Sequence, residues 1–298
     1  MKEFNEIIKK IGEELGIKVT LLSDGWTTIL EKDNKTKYLS GYQFDLIGHA
    51  LGKIIDEKDL FYDLLKYLNI PIIEHHVIFR EYDKEDVLDY FQKHNNEIIV
   101  KGCIGHSGNS VYKVNNESDL FNIIDKEFVK QYSIALCPYY QIRNEYRVIV
   151  LDNEVKLIFG KIKPKILGDG KRSVSELAKE YCSYYINHEN VIENLNYIPK
   201  ENEEVEINYK FNLSSGGKTF LDIDPDLKTK VMDLAVRVTK EVGIRFASVD
   251  IINTMDNKIL VMEANSGVKM RNFILQNQEG YDLAYNIYKD ALKKMFNI

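Results

Sequence analysis

Apolar side chains recur at helical spacing over residues 3 to 15, after which the period shortens to the runs Ile17 to Leu22, Thr27 to Leu30 and Lys37 to Ser40, broken at Asp24-Gly25 and Asp33-Asn34. A small α+β opening is therefore expected. Phe44 to Ile55 and Asp59 to Leu68 read as helices, the second ended by Asn69-Ile-Pro71 because a residue before proline disfavours helix. Ile72 to Phe79 reads as a strand, Lys84 to Lys93 as a helix, Glu97 to Val100 and Val111 to Val114 as strands around a loop carrying Gly105 and Gly108, and Ser118 to Lys126 as a helix. Ser133 to Tyr140, Tyr146 to Leu151 and Val155 to Lys161 predict an antiparallel meander with Asp152-Asn153 as a tight turn. Ser173 and Glu176 form a capping box for a helix to Tyr184, residues 187 to 206 read as a polar surface loop, and Leu227 to Val242 is a long amphipathic helix stopped by Gly243. Leu283 to Phe296 closes the chain as a helix, and the pattern as a whole is α/β with α+β subdomains.

Between the last two helices, Ala247 to Val268 reads as a β-hairpin. If Asp256-Asn257 is its turn, residues whose numbers sum to 513 face each other, which sets Asp250 opposite Glu263 and puts Glu263 and Asn265 on one face. Two carboxylates and an amide grouped this way suit magnesium, which uses one or two protein carboxylates and takes its other ligands from phosphates and water. An ordinary hairpin with a polar end fits the same residues. Upstream, Lys101 ends an apolar strand and is followed by Gly105 and Gly108; close backbone approach at glycine and a lysine charge can hold phosphates, as can a plain glycine turn hold nothing. Neither a Walker loop nor a Gly-x-Gly-x-x-Gly fingerprint is present.

With 298 residues and 44% apolar content the chain can bury a full core. A net charge of −6 with dispersed Lys and Arg offers no nucleic-acid footprint. The first ten residues lack the apolar core of a signal peptide and no apolar run reaches membrane-spanning length, so a cytoplasmic protein without membrane contact is expected. Cys103, Cys137 and Cys182 are odd in number and widely spaced, which supports reduced thiols, and His75-His76 is read as structural.

These pieces, in this order, resemble the ATP-grasp superfamily and within it the glutathione-synthetase-like branch that includes cyanophycin synthetase. The resemblance runs from about His49 to Gln276. Asp56-Glu57-Lys58 stands where the family has an Asp-Lys pair before a helix, Ile-Val-Lys-Gly102 is similar to Val-Val-Lys-Pro, and Gly105-His-Ser-Gly-Asn-Ser-Val111 keeps two of three loop glycines. Glu145-Tyr-Arg147 looks like the motif whose arginine contacts phosphates. Leu167-Gly-Asp-Gly-Lys-Arg-Ser-Val-Ser-Glu-Leu177 and Asn212-Leu-Ser-Ser-Gly-Gly217 closely resemble signatures of the branch, and Asp222 falls at a repeated aspartate. Asp250, Glu263 and Asn265 coincide with the family's magnesium ligands. Departures are Glu57 inserted in the first motif, Cys137 at the adenine hinge Leu136-Cys-Pro-Tyr-Tyr140, and Glu263-Ala-Asn-Ser-Gly267 lacking its proline.

The resemblance implies an ATP-grasp fold with a shortened N-terminal α+β segment over 1–50, a nucleotide-binding subdomain over 51–136 and a C-terminal subdomain with the magnesium site over 137–298. It implies an ATP-dependent ligase joining a carboxylate to an amine of amino-acid or peptide substrates through an acyl phosphate, with Mg2+ or Mn2+. By resemblance Lys58, Lys101, Gly105, Gly108, Cys137 and Tyr139 bind nucleotide and Arg147 serves the phosphates. Lys161, Asn212, Lys269 and Arg271 are candidates for orienting substrate or acyl phosphate, and Lys269 and Arg271 fit a solvated charged pair equally well. A nucleotide-binding pseudoenzyme and a phosphotransferase are the rival readings. Because residues 1–50 are few for the domain that commonly precedes the core, a partner is expected to complete the substrate surface, a homodimer being the simplest form.

Overall fold

A computed structural model describes residues 1–105 and 110–298. The chain opens with α1 (Lys2–Leu15), whose face of Phe4, Ile7, Ile8 and Ile11 is buried, followed by the antiparallel strands β1 (Lys18–Leu22), β2 (Thr27–Lys32), β3 (Lys35–Ser40) and β4 (Gln43–Phe44), which form a sheet in that order. Phe44 therefore ends a strand, where a helix was expected; its ring sits among Phe4, Phe246 and Tyr288, and this packing overrides the helical spacing. The helix begins later, as α2 (His49–Asp56), and α3 (Lys58–Tyr67) follows.

A second antiparallel sheet has the order β5-β8-β6-β7, from β5 (His76–Phe79), β6 (Ile98–Gly102), β7 (Val111–Val114) and β8 (Ser133–Pro138), with α4 (Lys84–Lys93) and α5 (Glu117–Phe128) packed on it. The strand expected from Ile72 starts only at His76, although Ile72 makes an isolated bridge to Val261.

The largest sheet joins β9 (Ile142–Leu151), β10 (Glu154–Ile162), β13 (Lys218–Phe220), β14 (Phe246–Thr254) and β15 (Ile259–Asn265), in the order β13-β10-β9-β14-β15. Asp152 and Asn153 both take positive φ in the β9–β10 turn, and Arg245 grips the Asp152 carboxylate at 2.8 and 3.0 Å. Excursions from this sheet carry β11 (Lys165–Leu167) paired with β12 (Glu204–Glu206), and α6 (Val174–Tyr181) with its Ser173–Glu176 capping box. β12 lies in the segment expected to be loop; three residues pairing with a distant strand leave no periodicity to detect. The chain then runs through α7 (Pro225–Val242), stopped by Gly243 in the left-handed conformation, and after the hairpin through α8 (Arg271–Gln276) and α9 (Gly280–Phe296).

Strand alternation divides the large sheet. Tyr146, Val148 and Val150 of β9, with Val249 and Ile251 of β14, face α7, α2 and α3. On the other face Ile149, Leu151, Leu157, Phe159 and Phe246 pack with α1 and α9, and the residues next along that face, Glu145, Arg147, Lys161 and Asp250, are charged. One face is thus core at one end and polar site at the other. No helix among the described residues is long and apolar enough to cross a membrane.

The α1 contact is testable by truncation. Ile8 is fully buried between the N-terminal sheet and α9, so Ile8→Ala is expected to cost about 2–5 kcal/mol by lost transfer and cavity. Leu275→Ala, 60% exposed, is expected to stay within about 0.5 kcal/mol, both read from urea unfolding midpoints. An Ile8→Ala midpoint equal to wild type would mean that α1 is not part of the cooperative core.

Candidate active site

Charged residues on one face of the large sheet meet as cross-strand pairs. Asp250 lies opposite Arg147, and Lys161 opposite Glu145. Arg147 donates to both Asp250 oxygens, Nε to Oδ1 at 2.8 Å and Nη2 to Oδ2 at 2.6 Å, while the Lys161 ammonium bonds Glu145 and stands 3.1 Å from Asp250 Oδ2. The four side chains sum to zero charge, which is how Glu145, Lys161 and Asp250 remain buried beside the half-buried Arg147. Burial alone would raise Asp250, but Arg147 and Lys161 outweigh it and hold its carboxyl down to about 2. Burial pushes Glu145 up against the pull of Lys161, with the Asp250 charge adding to the rise. Arg147 is held above its ordinary range: burial opposes its charge, and Asp250 more than compensates.

Across β14 and β15, Asp250 faces Glu263 and Ser248 faces Asn265, as the sum of 513 requires. The route to that register differs from expectation. Nearer the turn the partners are Ile251–Val261 and Asn253–Ile259, one residue out of step, because Thr254 N–H bonds Lys258 and closes a wider turn; a bulge at Met262 restores the register before Glu263.

These residues line a cavity of about 580 Å3. Its opposite wall comes from the second sheet, with buried Lys101, Gly105, and the strand end Cys137, Pro138, Tyr139 and Tyr140. Lys58 opens α3 and its ammonium donates to the Gly105 carbonyl at 2.9 Å. The Cys137 thiol is pushed up to about 11 by burial despite Lys101 beside it, so it presents an uncharged sulfur. Gly108 lies outside the described residues. Asn212 lines the cavity, its carbonyl fixed by Ser215 and Gly217 N–H. Arg271 does not line it; the guanidinium lies on Glu3 at 3.2 Å, joining α8 to α1.

Several contacts were not legible from sequence. Asp56 accepts from the Ser266 hydroxyl at 2.9 and 2.8 Å, tying the end of α2 to the residue after Asn265. Glu127 is fully buried and accepts from Tyr112 (2.9 Å), Lys130 (3.0 Å) and Gln131 (2.9 Å), while Gln131 Oε1 accepts from Ile104 N–H at 2.8 Å. Burial would raise the Glu127 carboxyl, yet Lys130, Ser110 and Tyr112 hold it below its ordinary range. This network anchors residues on both sides of the glycine loop. It also explains Val-Lys-Gly in place of Val-Lys-Pro, since any Cβ at Gly102 would lie 1.7 Å from Gln131 Nε2. The Gly168-Asp-Gly170 motif, by contrast, stands away from the cavity and is a pinned turn: Asp169 accepts from Lys171 and Arg172 N–H, and a Cβ on Gly168 would meet the Lys200 carbonyl at 2.2 Å. His75 is buried against Tyr62 and its basicity falls well below the ordinary value through burial and then through Lys101 and Lys58, so the ring is neutral.

The donor set fits magnesium. Among the described residues no three carboxylate, imidazole or thiolate groups cluster, as an all-protein metal cage would need. Two carboxylates and one amide leave most of the coordination to phosphates and water. Asn265 Nδ2 donates to Glu263 Oε1 at 3.3 Å, which leaves its oxygen as the atom a cation would meet.

No family model matches the chain. Its curated relatives include cyanophycin synthetase from Nostoc sp., 23% identical over 295 residues, covering 89% of this chain and 32% of that protein. The chain thus spans about a third of that relative's length. Among solved structures, a bifunctional glutathione synthetase from Pasteurella multocida matches with a TM-score of 0.56 at 16% identity, covering 96% of this chain and 43% of that one. D-alanine–D-alanine ligase from Bacillus anthracis matches with a TM-score of 0.55 at 16% identity, covering 82% and 67%. The chain has the ATP-grasp fold and is similar to the carboxylate–amine ligases that share it.

Proposed function

We propose that the protein is an ATP-dependent carboxylate–amine ligase. What supports the reading most is Asp250 and Glu263 facing each other across one hairpin, in the same cavity as Lys58 and Lys101. In the first step a substrate carboxylate oxygen attacks the γ-phosphorus while the bond to the β–γ bridging oxygen breaks, giving ADP and an acyl phosphate. In the second an amine nitrogen attacks the acyl carbon, phosphate leaves with the bonding electrons, and the surplus amine proton passes to solvent. Magnesium held by Asp250, Glu263 and Asn265 would neutralise charge on the phosphate oxygens.

The chain's own residues divide the remaining work. Lys58 and Lys101 bring ammonium charges to the phosphates. Arg147 and Lys161 act through Asp250: they keep it ionised and aimed at the hairpin, and Arg147 retains N–H donors beyond the two on that carboxylate. The neutral Cys137 and the aromatic Tyr139 line the region assigned to the base.

Purified protein with ATP and magnesium is expected to release ADP only when both a carboxylate and an amine are supplied. Release with a carboxylate alone would make it a phosphotransferase, and binding of nucleotide without release under any pairing would leave a nucleotide-binding protein.

The two carboxylates are expected to separate by stability. From sequence, both were expected to serve a metal alone; Asp250, however, is 1% exposed and neutralises Arg147 and Lys161. Asp250→Ala leaves that charge unpaired and is expected to cost about 3–5 kcal/mol in urea unfolding, against less than about 1 kcal/mol for half-buried Glu263→Gln. Both variants should lose turnover. Equal stability losses would mean that the buried network does not depend on Asp250.

A further inference from the structure

Beyond the end of β15 that carries Glu263 and Asn265, the cavity wall is built from the loop Ser266 to Lys269 and the turn Ser40 to Gln43. The two are joined through backbone: Val268 N–H donates to the Tyr42 carbonyl at 3.1 Å, and Gln43 bridges Gly267. Gly41 takes φ of +56° and donates to the Trp26 carbonyl at 2.7 Å; a Cβ there would lie 3.1 Å from the indole, so the ring lies directly over a bare backbone. Trp26 is the only tryptophan in the chain, lines the cavity and is 57% exposed. A large ring left so open on a cavity wall offers an apolar face to whatever enters the cavity. The buried rings of Phe211 and Phe273 line the same cavity, and the Lys269 ammonium stands 5.7 Å from the Tyr42 ring centre.

Charge on this wall is one-sided. The carboxylates lining the cavity are Asp56, Glu145, Asp250 and Glu263. Asp56 is engaged by Ser266, Glu145 by Lys161, Asp250 by Arg147 and Lys161, and Glu263, which accepts from Asn265 Nδ2 at 3.3 Å, is the carboxylate that the proposed function gives to magnesium. Glu3, behind the wall, is taken by Arg271. Among the described residues no carboxylate pairs with Lys269. A substrate ammonium would find no counter-charge here, whereas a carboxylate would find Lys269. The aromatic faces could attract a cation, but Lys269 already occupies the Tyr42 side and repels a second one, and a charge-assisted hydrogen bond to a carboxylate is the stronger contact.

We propose that Trp26, Tyr42 and Lys269 form a subsite for a substrate carrying a carboxylate beside an aromatic or bulky apolar group, with no ammonium next to it. The ring lies on Trp26 and the carboxylate on Lys269. What becomes of the bound molecule rests on the ligase reading, and so does the exclusion of an ammonium, because it sets Glu263 aside for a cation; the contacts of ring and carboxylate with Trp26 and Lys269 do not.

The single tryptophan makes the subsite its own reporter. Emission, excited at the red edge where tyrosine does not absorb, is followed while the protein is titrated with hydrocinnamate, which has a phenyl ring and a carboxylate, or with phenethylamine, which has the ring and an ammonium. Hydrocinnamate is expected to give a saturable change and to bind at least about tenfold tighter than phenethylamine, and Lys269→Met is expected to weaken it by about tenfold. Retained binding of magnesium and a non-hydrolysable ATP analogue verifies that the variant is folded. No spectral change with hydrocinnamate, equal or tighter binding of phenethylamine, or an affinity untouched by Lys269→Met would each overturn the proposal. Binding as expected, with no acid and amine pair that releases ADP, would uphold the subsite and overturn the ligase reading.

Discussion

The Arg147–Asp250 pair is the contact on which the site depends. It is a cross-strand pair on the middle of the large sheet, and its two hydrogen bonds of 2.8 and 2.6 Å fix the position of the one carboxylate that also faces Glu263. A slip of one residue between β9 and β14 would turn Arg147 or Asp250 to the face where Val148 and Val249 meet α7. Apolar packing therefore enforces the register, and the register creates the site. The charge balance with Glu145 and Lys161 makes this tolerable, since each ion has its partner before any ligand arrives. On the proposed reading, a carboxylate already held ionised in a buried place has no proton to lose when a cation arrives.

The other cavity walls are tied to the same hairpin by a few bonds at element ends. Ser266 binds Asp56 at the end of α2, and two residues on Val268 binds Tyr42 of the N-terminal turn. Lys58 reaches the loop side twice, through its N–H to the Cys103 carbonyl at 3.1 Å and its ammonium to Gly105. Gln131, itself held by Glu127, accepts from Ile104 N–H just before Gly105. The apparent surplus of small motifs is a set of junctions where one wall meets the next.

Sequence showed the strands and helices with strong periodicity, and the motif order led to the right fold. The Asp250–Glu263 pairing was anticipated from a two-residue turn, although the wider turn and the Met262 bulge cancel each other to produce it. Bulges have no periodic signature, so that agreement was partly fortuitous. Phe44 shows the opposite case: its spacing is helical, and only the cluster with Phe4, Phe246 and Tyr288 makes it a strand end. Tyr42 and Gln43 carried no signal because their place beside Gly267 depends on a contact more than two hundred residues away in sequence, and no spacing rule reaches that far. The sequence signal that could have drawn attention to Trp26 was its being the sole tryptophan, beside a Gly in a polar turn. The long motif around Asp169 stands away from the cavity, because a turn with no room for side chains constrains residue types as tightly as chemistry does.

The central claim is that the hairpin register makes a cation-dependent nucleotide site at Glu263. Calorimetric titration with a non-hydrolysable ATP analogue, with and without magnesium, on the wild type and on Glu263→Gln, tests it most directly. The expected result is an affinity that rises with magnesium in the wild type and responds little to magnesium in the variant, which still binds the analogue through Lys58 and Lys101. An equal magnesium response in the two proteins would contradict the account.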